Sequence, residues 1–277
     1  MSRTSESDTS RIGFIGAGNM AFAIVGGLVR AGWPPGLVTV TDPSEEQLDR
    51  FRQLAVGIRT SQDNNDAIRD ANALILAVKP QVFTQVVDAL DLNEMARDCV
   101  IISVAAGIPL STMAKRFHDQ PMVRCMPNQG ALVGHGASGL FASASCSAQQ
   151  RELSERILAT TGASVWLDKE SLIDVVTAVS GSGPAYFYLL MEALTQSAIA
   201  HGLTQEQATT LVGATALGAS TLAEGSDIDV ETLRARVTSP GGTTAAGIDA
   251  LEQHAFRQTV DAAVAAALAR SVELADS

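Results

Sequence analysis

Short apolar segments alternate with longer amphipathic ones through the first part of this 277-residue chain. Uninterrupted apolar runs of this length are typical of strands that are covered on both faces of a parallel sheet. Most of these runs are followed by a turn and a helical pattern, which predicts a series of βαβ units. We expect strands at residues 12–15, 37–41, 73–78, 99–104, 122–126, 138–141 and 163–167.

The pattern changes near Asp168, after which no further strand is expected. Helices follow, of which one begins at Pro184, a favoured first-turn position, and the next is capped by Thr204. The fold class is therefore α/β, with a Rossmann-type parallel sheet followed by an all-helical part. The predicted divisions are a flexible tail at 1–10, a dinucleotide-binding domain at 11–168, and a helical substrate-binding and dimerisation domain at 169–277.

The first predicted strand runs directly into a glycine turn, Gly16-Ala17-Gly18, and then into a helix. This order is the dinucleotide-binding fingerprint in its expected context. Gly16 allows the tight turn, and Gly18 lets the backbone approach a pyrophosphate. The N-terminus of the helix offers N–H groups and a partial positive charge to the phosphates. A nucleotide cofactor is therefore predicted, although a glycine-rich turn that binds nothing is the plainer alternative.

Asp42 ends the second predicted strand, and Ser44 to Gln47 forms a capping-box pattern for the next helix. An acid near this position of a Rossmann domain favours the free 2′-hydroxyl of NAD and repels the extra phosphate of NADP. An Asp before Pro43 is equally common as a turn residue. Both interpretations stay open, and the first predicts that Asp42→Ser shifts cofactor preference toward NADPH.

Charge and cysteine content exclude several classes of function. A net charge of −11 and a pI near 4.7 argue against nucleic acid or an anionic membrane as a partner. The three cysteines are far apart, which predicts neither a metal site nor a disulfide framework and fits a cytoplasmic protein. We expect no signal peptide at the polar N-terminus and no transmembrane segment.

Two segments of the helical part combine hydroxyls with glycines before a helix, at residues 180–184 and 239–244. We interpret both as loops whose N–H groups suit a carboxylate or other small anion, the alternative being helix capping with a tight turn. Neither contains an acid, a His or a Cys. Reduction of an imine needs less acid–base help than other hydride transfers, because the substrate can arrive already protonated.

The final helix is rich in alanine, with Val260, Val264 and Leu268 at four-residue spacing. Such a surface permits close packing against other helices. Both dimerisation and an intramolecular core are compatible with it.

The chain resembles the pyrroline-5-carboxylate reductases over essentially its whole length after the tail. The last two matching motifs are highly specific to that family, whereas the glycine fingerprint alone is not. The matching segments are Phe14–Ala21, Ala77–Pro80, Val104–Gly107, Arg124–Asn128, Val179–Tyr186 and Val237–Thr244.

The resemblance implies a Rossmann domain followed by a helical domain that interleaves with its copy in a homodimer, with dimers that can assemble further. It also implies the reaction, in which hydride passes from NADPH or NADH to the C=N carbon of 1-pyrroline-5-carboxylate and gives L-proline. This is the last step of proline biosynthesis, an amino-acid biosynthesis pathway.

By position, the resemblance also implies the residues that bind the cofactor. The pyrophosphate falls to Ile15, Gly16, Ala17, Gly18, Asn19 and Met20, and the adenosine end to Asp42 and Asn64. The rest of the cofactor is lined by Ala77, Val78, Lys79, Pro80, Ala105, Ala106 and Gly107.

The implied substrate site lies in the second of the two hydroxyl-rich loops. Ser239 and the amides of Gly242, Thr243 and Thr244 would hold the substrate carboxylate. The Thr244 hydroxyl would lie near the ring nitrogen, which makes it the one catalytic residue that we predict.

Two departures from the family pattern bear on the site. Gln129-Gly130 replaces the usual Thr-Pro after Met-Pro-Asn, which puts Asn128 in doubt as a site residue. The family commonly prefers NADPH whereas Asp42 favours NADH, so the preference stays open.

Two other functions remain as alternatives. Another reductase with this domain plan, of the imine or β-hydroxyacid type, is one of them. The β-hydroxyacid type expects a catalytic lysine in the helical part, and none follows Lys169. A non-catalytic nucleotide-sensing protein is the other, and it leaves the loop at 239–244 unexplained.

Overall fold

The computed structural model describes residues 9–275, and most of the tail predicted for residues 1–10 lies outside that range. The chain divides into two compact units. The sheet unit consists of the residues up to Ser182 and those from Ala267 onward, and the helical unit consists of Gly183–Ala266. The predicted domain boundary follows residue 168, one short helix before the division of the two units at Ser182. The assignment of cofactor binding and substrate binding to the two predicted domains stays a prediction.

An eight-stranded sheet with the order β3-β2-β1-β4-β5-β6-β7-β8 forms the centre of the sheet unit. A mostly parallel, Rossmann-like sheet is therefore confirmed, with one short strand, β3, that the pattern missed. The strands are β1 Ile12–Ile15, β2 Val38–Thr41, β3 Arg59–Ser61, β4 Ala73–Leu76, β5 Val100–Ser103, β6 Met122–Met126, β7 Gly136–Ala142 and β8 Gly162–Trp166.

β6 and β7 pair antiparallel, a direction that the hydrophobic pattern did not predict. Residues 127–135 join them, a link shorter than the dozen or so residues that a parallel crossover needs. β8 pairs parallel with β7, so both of these strands run against the rest of the sheet.

Helices cover both faces of the sheet and enclose two apolar clusters. Side chains alternate between the faces, so that Ile75 and Ile102 lie in one cluster while Leu74 and Ile101 lie in the other. The helices that precede residue 177 are α1 Asn19–Arg30, α2 Glu45–Leu54, α3 Asn65–Ile68, α4 Pro80–Asp88, α5 Leu110–Phe117, α6 Ala148–Ala159 and α7 Leu172–Val176.

After β8 the described residues are helical or in turns, as the pattern predicts. Ser147 and Thr204 each complete a capping box with the Gln three residues later, at the starts of α6 and α9. The remaining helices are α8 Gly183–Ala200, α9 Gln205–Glu224, α10 Val230–Arg236, α11 Thr243–Gln253 and α12 Phe256–Ala275.

The segment at 180–184 is not the loop that its composition predicted. Residues Thr177–Gly181 form a π-helical turn that continues α7, and α8 begins at Gly183. Ser180 Oγ donates to Val176 O at 3.1 Å, so this hydroxyl bonds back to the helix. The expectation of a first anion-binding loop is therefore wrong in its conformation.

Large apolar side chains are exposed along the helices of the helical unit. Phe187, Leu189, Leu217 and Leu222 are each more than half exposed. Exposed apolar side chains in this number are typical of a protein–protein interface. Within the described part of the chain, no helix is long and apolar enough to cross a membrane.

Candidate active site

Four strand ends of the sheet unit stand in register. Ile15 pairs with Thr41 on one side and with Leu76 on the other, and Leu76 pairs with Ser103. Because the strands are parallel, the residues that follow them meet at one edge of the sheet, where open α/β sheets bind their ligands. The segments that begin at residues 16, 42, 77 and 104 are therefore brought together, as predicted.

The glycine turn leaves no room for a side chain at its first position. Gly16 has φ +100° and donates its N–H to Thr41 O at 2.8 Å. A Cβ at this position would lie 2.6 Å from Ala77 O. The turn thus requires glycine both for its conformation and for its packing against the segment after β4.

The start of α1 is open to an anion. Gly18 is its N-cap residue in an extended conformation, and no side chain caps this end of the helix. A Cβ on Gly18 would meet no atom within 4 Å. The first N–H groups of α1 therefore face space that a diphosphate can enter, so the residues fit the predicted dinucleotide.

Asp42 fastens the glycine turn. Its Oδ2 accepts the Ala17 N–H and its Oδ1 accepts the Ser44 N–H, both at 2.9 Å. The capping box predicted for α2 forms only in half: Ser44 Oγ accepts the Gln47 N–H, while the Gln47 side chain accepts from Arg50 instead. These hydrogen bonds support the interpretation of Asp42 as a turn residue. A contact between Asp42 and the cofactor ribose stays a prediction.

Asn64 reaches the end of β2 through a buried hydroxyl. Its Oδ1 lies 2.8 Å from Thr41 Oγ1, which is also 3.1 Å from Phe14 O. Asn64 and Asp42 therefore lie at the same strand end, where the adenosine end is predicted.

The segments after β4 and β5 border a cavity of about 820 Å³. Pro80, the first residue of α4, lines it together with Ala106 and Gly107. Gly107 has φ +73°, a turn that brings the backbone of this segment to the surface of the cavity. Other walls come from the π-helical turn and the end of α12. Three predicted cofactor residues thus share one cavity of the sheet unit.

Beside this cavity lies an ion cluster that the sequence did not reveal. The buried Arg124 guanidinium lies 3.2 Å from Glu170 Oε1 and 3.8 Å from Asp174 Oδ1. Glu170 Oε1 also accepts the N–H of Leu110 at the start of α5, and Asp174 Oδ1 accepts from Ser271 Oγ on α12. The cluster connects the start of α5 with the end of α12. The spacing of these residues along the sequence gives no sign of such a contact.

Asn128 holds the loop after β6. Its Oδ1 accepts the N–H groups of Gly130 and Ala137, and its Nδ2 donates to Ser180 O. A Cβ at Gly130 would lie 2.5 Å from His135 O, so this loop is closed more tightly than a bulkier residue would permit. The hydrogen bonds of Asn128 thus stabilise the conformation of this loop.

In the helical unit, the loop at 239–244 has the predicted form. Gly241 has φ +69°, and the Gly242 N–H donates to Ser239 O at 3.0 Å. Gly242 is the N-cap of α11 and has no side-chain cap, so α11 begins with the open N–H groups of Thr243 and Thr244. Ser239 and Thr244 are exposed. The loop thus combines hydroxyls with an uncapped helix start, an arrangement that suits a carboxylate.

The cysteines supply no acid–base group. Burial raises the pKa of the Cys99 and Cys125 thiols to about 12 each, which leaves both neutral near pH 7. No group of His, Cys, Asp and Glu that could hold a metal ion occurs among residues 9–275, the range that was searched.

Known proteins match this chain along nearly its full length. A pyrroline-5-carboxylate reductase of Pseudomonas aeruginosa is 45% identical over 270 residues, which cover 97% of this chain and 98% of that protein. The chain belongs to the pyrroline-5-carboxylate reductase family. A pea member, from Pisum sativum, is 38% identical over 97% of each chain.

Family models agree with the two parts of the chain. Residues 170–274 match pyrroline-5-carboxylate reductase dimerisation, and residues 11–107 match NADP oxidoreductase coenzyme F420-dependent. The predicted oxidoreductase and its NAD(P)H cofactor are thereby confirmed, as is a homo-oligomer at that level of detail.

Solved structures of the family confirm the fold class. A pyrroline-5-carboxylate reductase from Coxiella burnetii has a TM-score of 0.91 at 39% identity, covering 96% of this chain and 99% of that one. A Plasmodium falciparum pyrroline carboxylate reductase, solved with NADP bound, has a TM-score of 0.82 at 27% identity, with coverages of 96% and 98%. The match to this family favours the main prediction over a β-hydroxyacid-type reductase or a nucleotide sensor.

Proposed function

We propose that this chain reduces 1-pyrroline-5-carboxylate to L-proline with NAD(P)H, the last step of proline biosynthesis. The observation that carries the proposal is the 45% identity to a pyrroline-5-carboxylate reductase over 97% of the chain, which includes both the glycine turn and the loop at 239–244.

The cofactor residues divide the binding between backbone and side chains. The turn from Ile15 to Met20 binds the diphosphate with the open N–H groups of α1, while Asp42 and Asn64 face the adenosine end. Ala77 to Pro80 and Ala105 to Gly107 line the remainder. When bound, the dinucleotide supplies the hydride that reduces the C=N bond.

The substrate residues hold a carboxylate and a ring nitrogen. Ser239 and the N–H groups of Gly242, Thr243 and Thr244 bind the carboxylate, since an uncapped helix start stabilises negative charge. The Thr244 hydroxyl donates a hydrogen bond to the lone pair that develops on the ring nitrogen as the hydride is transferred. A hydroxyl suffices because the imine can bind already protonated.

The assembly that we propose is a homodimer formed by the helical units, with larger assemblies of dimers. Exposed apolar side chains on α8 and α9 support it, and they lie inside the match to the family dimerisation model. The free cysteines support a cytoplasmic location, since thiols persist in a reducing compartment.

The test is an assay of the purified protein with 1-pyrroline-5-carboxylate and each of the two cofactors. Cofactor oxidation that depends on the substrate is expected. Cofactor binding without turnover would leave the chain a nucleotide sensor and end the proposal.

A further inference from the structure

Arg50 occupies a fixed position between the starts of α1 and α2. Its Nη1 donates to Gln47 Oε1 at 2.8 Å, and its Nη2 donates to Asn19 Oδ1 at 3.3 Å. The guanidinium carbon lies 4.7 Å from the centre of the Phe22 ring, which in turn packs edge-on against Phe51. A half-buried, stacked guanidinium is preorganised, so it loses little freedom when it binds a ligand.

The charge of Arg50 has no carboxylate partner among the described residues. Its two side-chain bonds go to neutral amide oxygens, and none of the ion pairs found within residues 9–275 includes it. Arg52, two residues further along the same helix, pairs with both Glu45 and Asp49. Arg50 therefore keeps a full positive charge and further N–H donors for an anion.

Arg50 lies on α2, which follows the predicted adenosine end, and it contacts the start of α1, where the diphosphate is predicted. Asn19, which it contacts, is the first residue of the uncapped α1. Its own helix follows β2 and Asp42, where a Rossmann domain meets the adenosine ribose. The Asp42 carboxylate is already bonded to two backbone N–H groups. An anion at this end would thus meet an unpaired guanidinium together with a carboxylate that the backbone stabilises.

We propose that Arg50 binds the adenosine 2′-phosphate and so favours NADPH over NADH. A planar guanidinium with free N–H donors matches a phosphate in geometry and charge. The 2′-phosphate is the one group by which NADPH differs from NADH at this end. The inference rests on the proposed function only for the identity of the cofactor. The sequence pattern alone gave no reason to single out Arg50 from the other charged residues of α2.

The experiment measures ligand binding, not turnover, by titration calorimetry. NADP⁺, NAD⁺ and adenosine 2′,5′-bisphosphate are titrated into the full chain and into Arg50→Gln, Arg50→Lys and Arg52→Gln. Arg52→Gln removes the same charge from the same helix, but from a side chain that carboxylates already satisfy. Arg50→Lys keeps the charge and loses the planar fork. Thermal unfolding of each variant checks that it is folded.

The expected result is selective loss. Arg50→Gln should weaken NADP⁺ and the bisphosphate by at least about tenfold, the scale of one charge-assisted contact. NAD⁺ should stay within about twofold. Arg50→Lys should fall between wild type and Arg50→Gln, and Arg52→Gln should bind as wild type.

Two results would overturn the assignment. Equal weakening of NADP⁺ and NAD⁺ would place Arg50 at the diphosphate or make it a support for Asn19. Unchanged binding of NADP⁺ by Arg50→Gln would make it a surface residue. A wild-type chain that binds neither dinucleotide would instead contradict the proposed function, so the two failures are distinguishable.

Discussion

At the scale of single residues, Asp42 combines a structural task with an electrostatic one. Its two oxygens accept the N–H groups of Ala17 and Ser44, which fixes the glycine turn to the end of β2. In the proposed site, the same negative charge would repel a 2′-phosphate. Asp42→Asn removes the charge and keeps an acceptor for one of these two N–H groups, so it separates the electrostatic effect from part of the structural one.

We predict that Asp42→Ser and Asp42→Asn both shift cofactor preference toward NADPH, by about tenfold in the ratio of kcat/KM values. Asp42→Ser should also lower the free energy of unfolding by about 1 kcal/mol more than Asp42→Asn, because the Ala17 N–H loses its acceptor. Steady-state kinetics with both cofactors measures the ratio. If it does not move in either variant, Asp42 is a turn residue only.

The Thr244 hydroxyl is the second residue-scale prediction. Thr244→Ala should lower kcat about 10²-fold, because the ring nitrogen loses its hydrogen-bond donor in the transition state. Thr244→Ser is the matched control, since it keeps the hydroxyl at the same helix position. Turnover of Thr244→Ala at the wild-type rate would exclude the donor role.

At the scale of elements, Gly13 of β1 and Gly18 of the glycine turn are needed for different reasons. A Cβ at Gly13 would lie 1.8 Å from Ala67 O, so this glycine is needed for packing between β1 and α3. A Cβ at Gly18 would meet no protein atom within 4 Å. Packing therefore does not require glycine at position 18, and its proposed role is to let the diphosphate approach the backbone.

We predict that Gly18→Ala melts near the wild-type temperature but binds NADP⁺ at least about tenfold more weakly, because the methyl group occupies the approach of the diphosphate. Gly13→Ala, the control for packing, should lose about 1–3 kcal/mol of stability or more. Thermal unfolding and calorimetry measure the two effects. Tight binding by Gly18→Ala would remove the turn from the cofactor site.

The elements differ in how far their sequence determined them. Strands such as β4 and β5 were predictable because burial on both faces forces a continuous apolar run. The direction of β7 was not predictable, because an apolar run looks the same in a parallel and in an antiparallel strand. The turn at Thr177–Gly181 was misread, because Ser and Gly indicate loops unless the hydroxyl bonds back to the helix, as Ser180 does. The loop at 239–244 was recognised because Gly241 and an uncapped helix start have a local signature.

Side chains that act across the fold were the least predictable. Arg50 depends on Asn19 and Phe22 of another helix, and Arg124 depends on residues that follow it by more than forty positions. Spacing along a chain reports local structure, whereas these contacts exist only after the elements pack.

At the scale of the whole molecule, the helical unit exposes apolar side chains, which we propose that a second copy of the chain covers. We predict that Leu217→Glu, at a side chain that is 70% exposed on α9, shifts the protein toward the monomer, because burial of a charge in an apolar interface costs free energy. Light scattering coupled to gel filtration measures the mass.

The control for the assembly is Val56→Glu. Val56 is 97% exposed, but it lies in the sheet unit and outside the match to the dimerisation model. It should leave the mass unchanged. A Leu217→Glu protein with the wild-type mass would place the interface elsewhere.

The proposed reaction requires that the cofactor and the loop at 239–244 act in one hydride transfer, and an isotope experiment measures that transfer. NADPH or NADH labelled with deuterium at the hydride position is incubated with the protein and 1-pyrroline-5-carboxylate, and the product is analysed by mass spectrometry and NMR. We expect L-proline with one deuterium on the former imine carbon, formed in step with cofactor oxidation. Unlabelled product, or bound cofactor that is never oxidised, would contradict the proposed reaction.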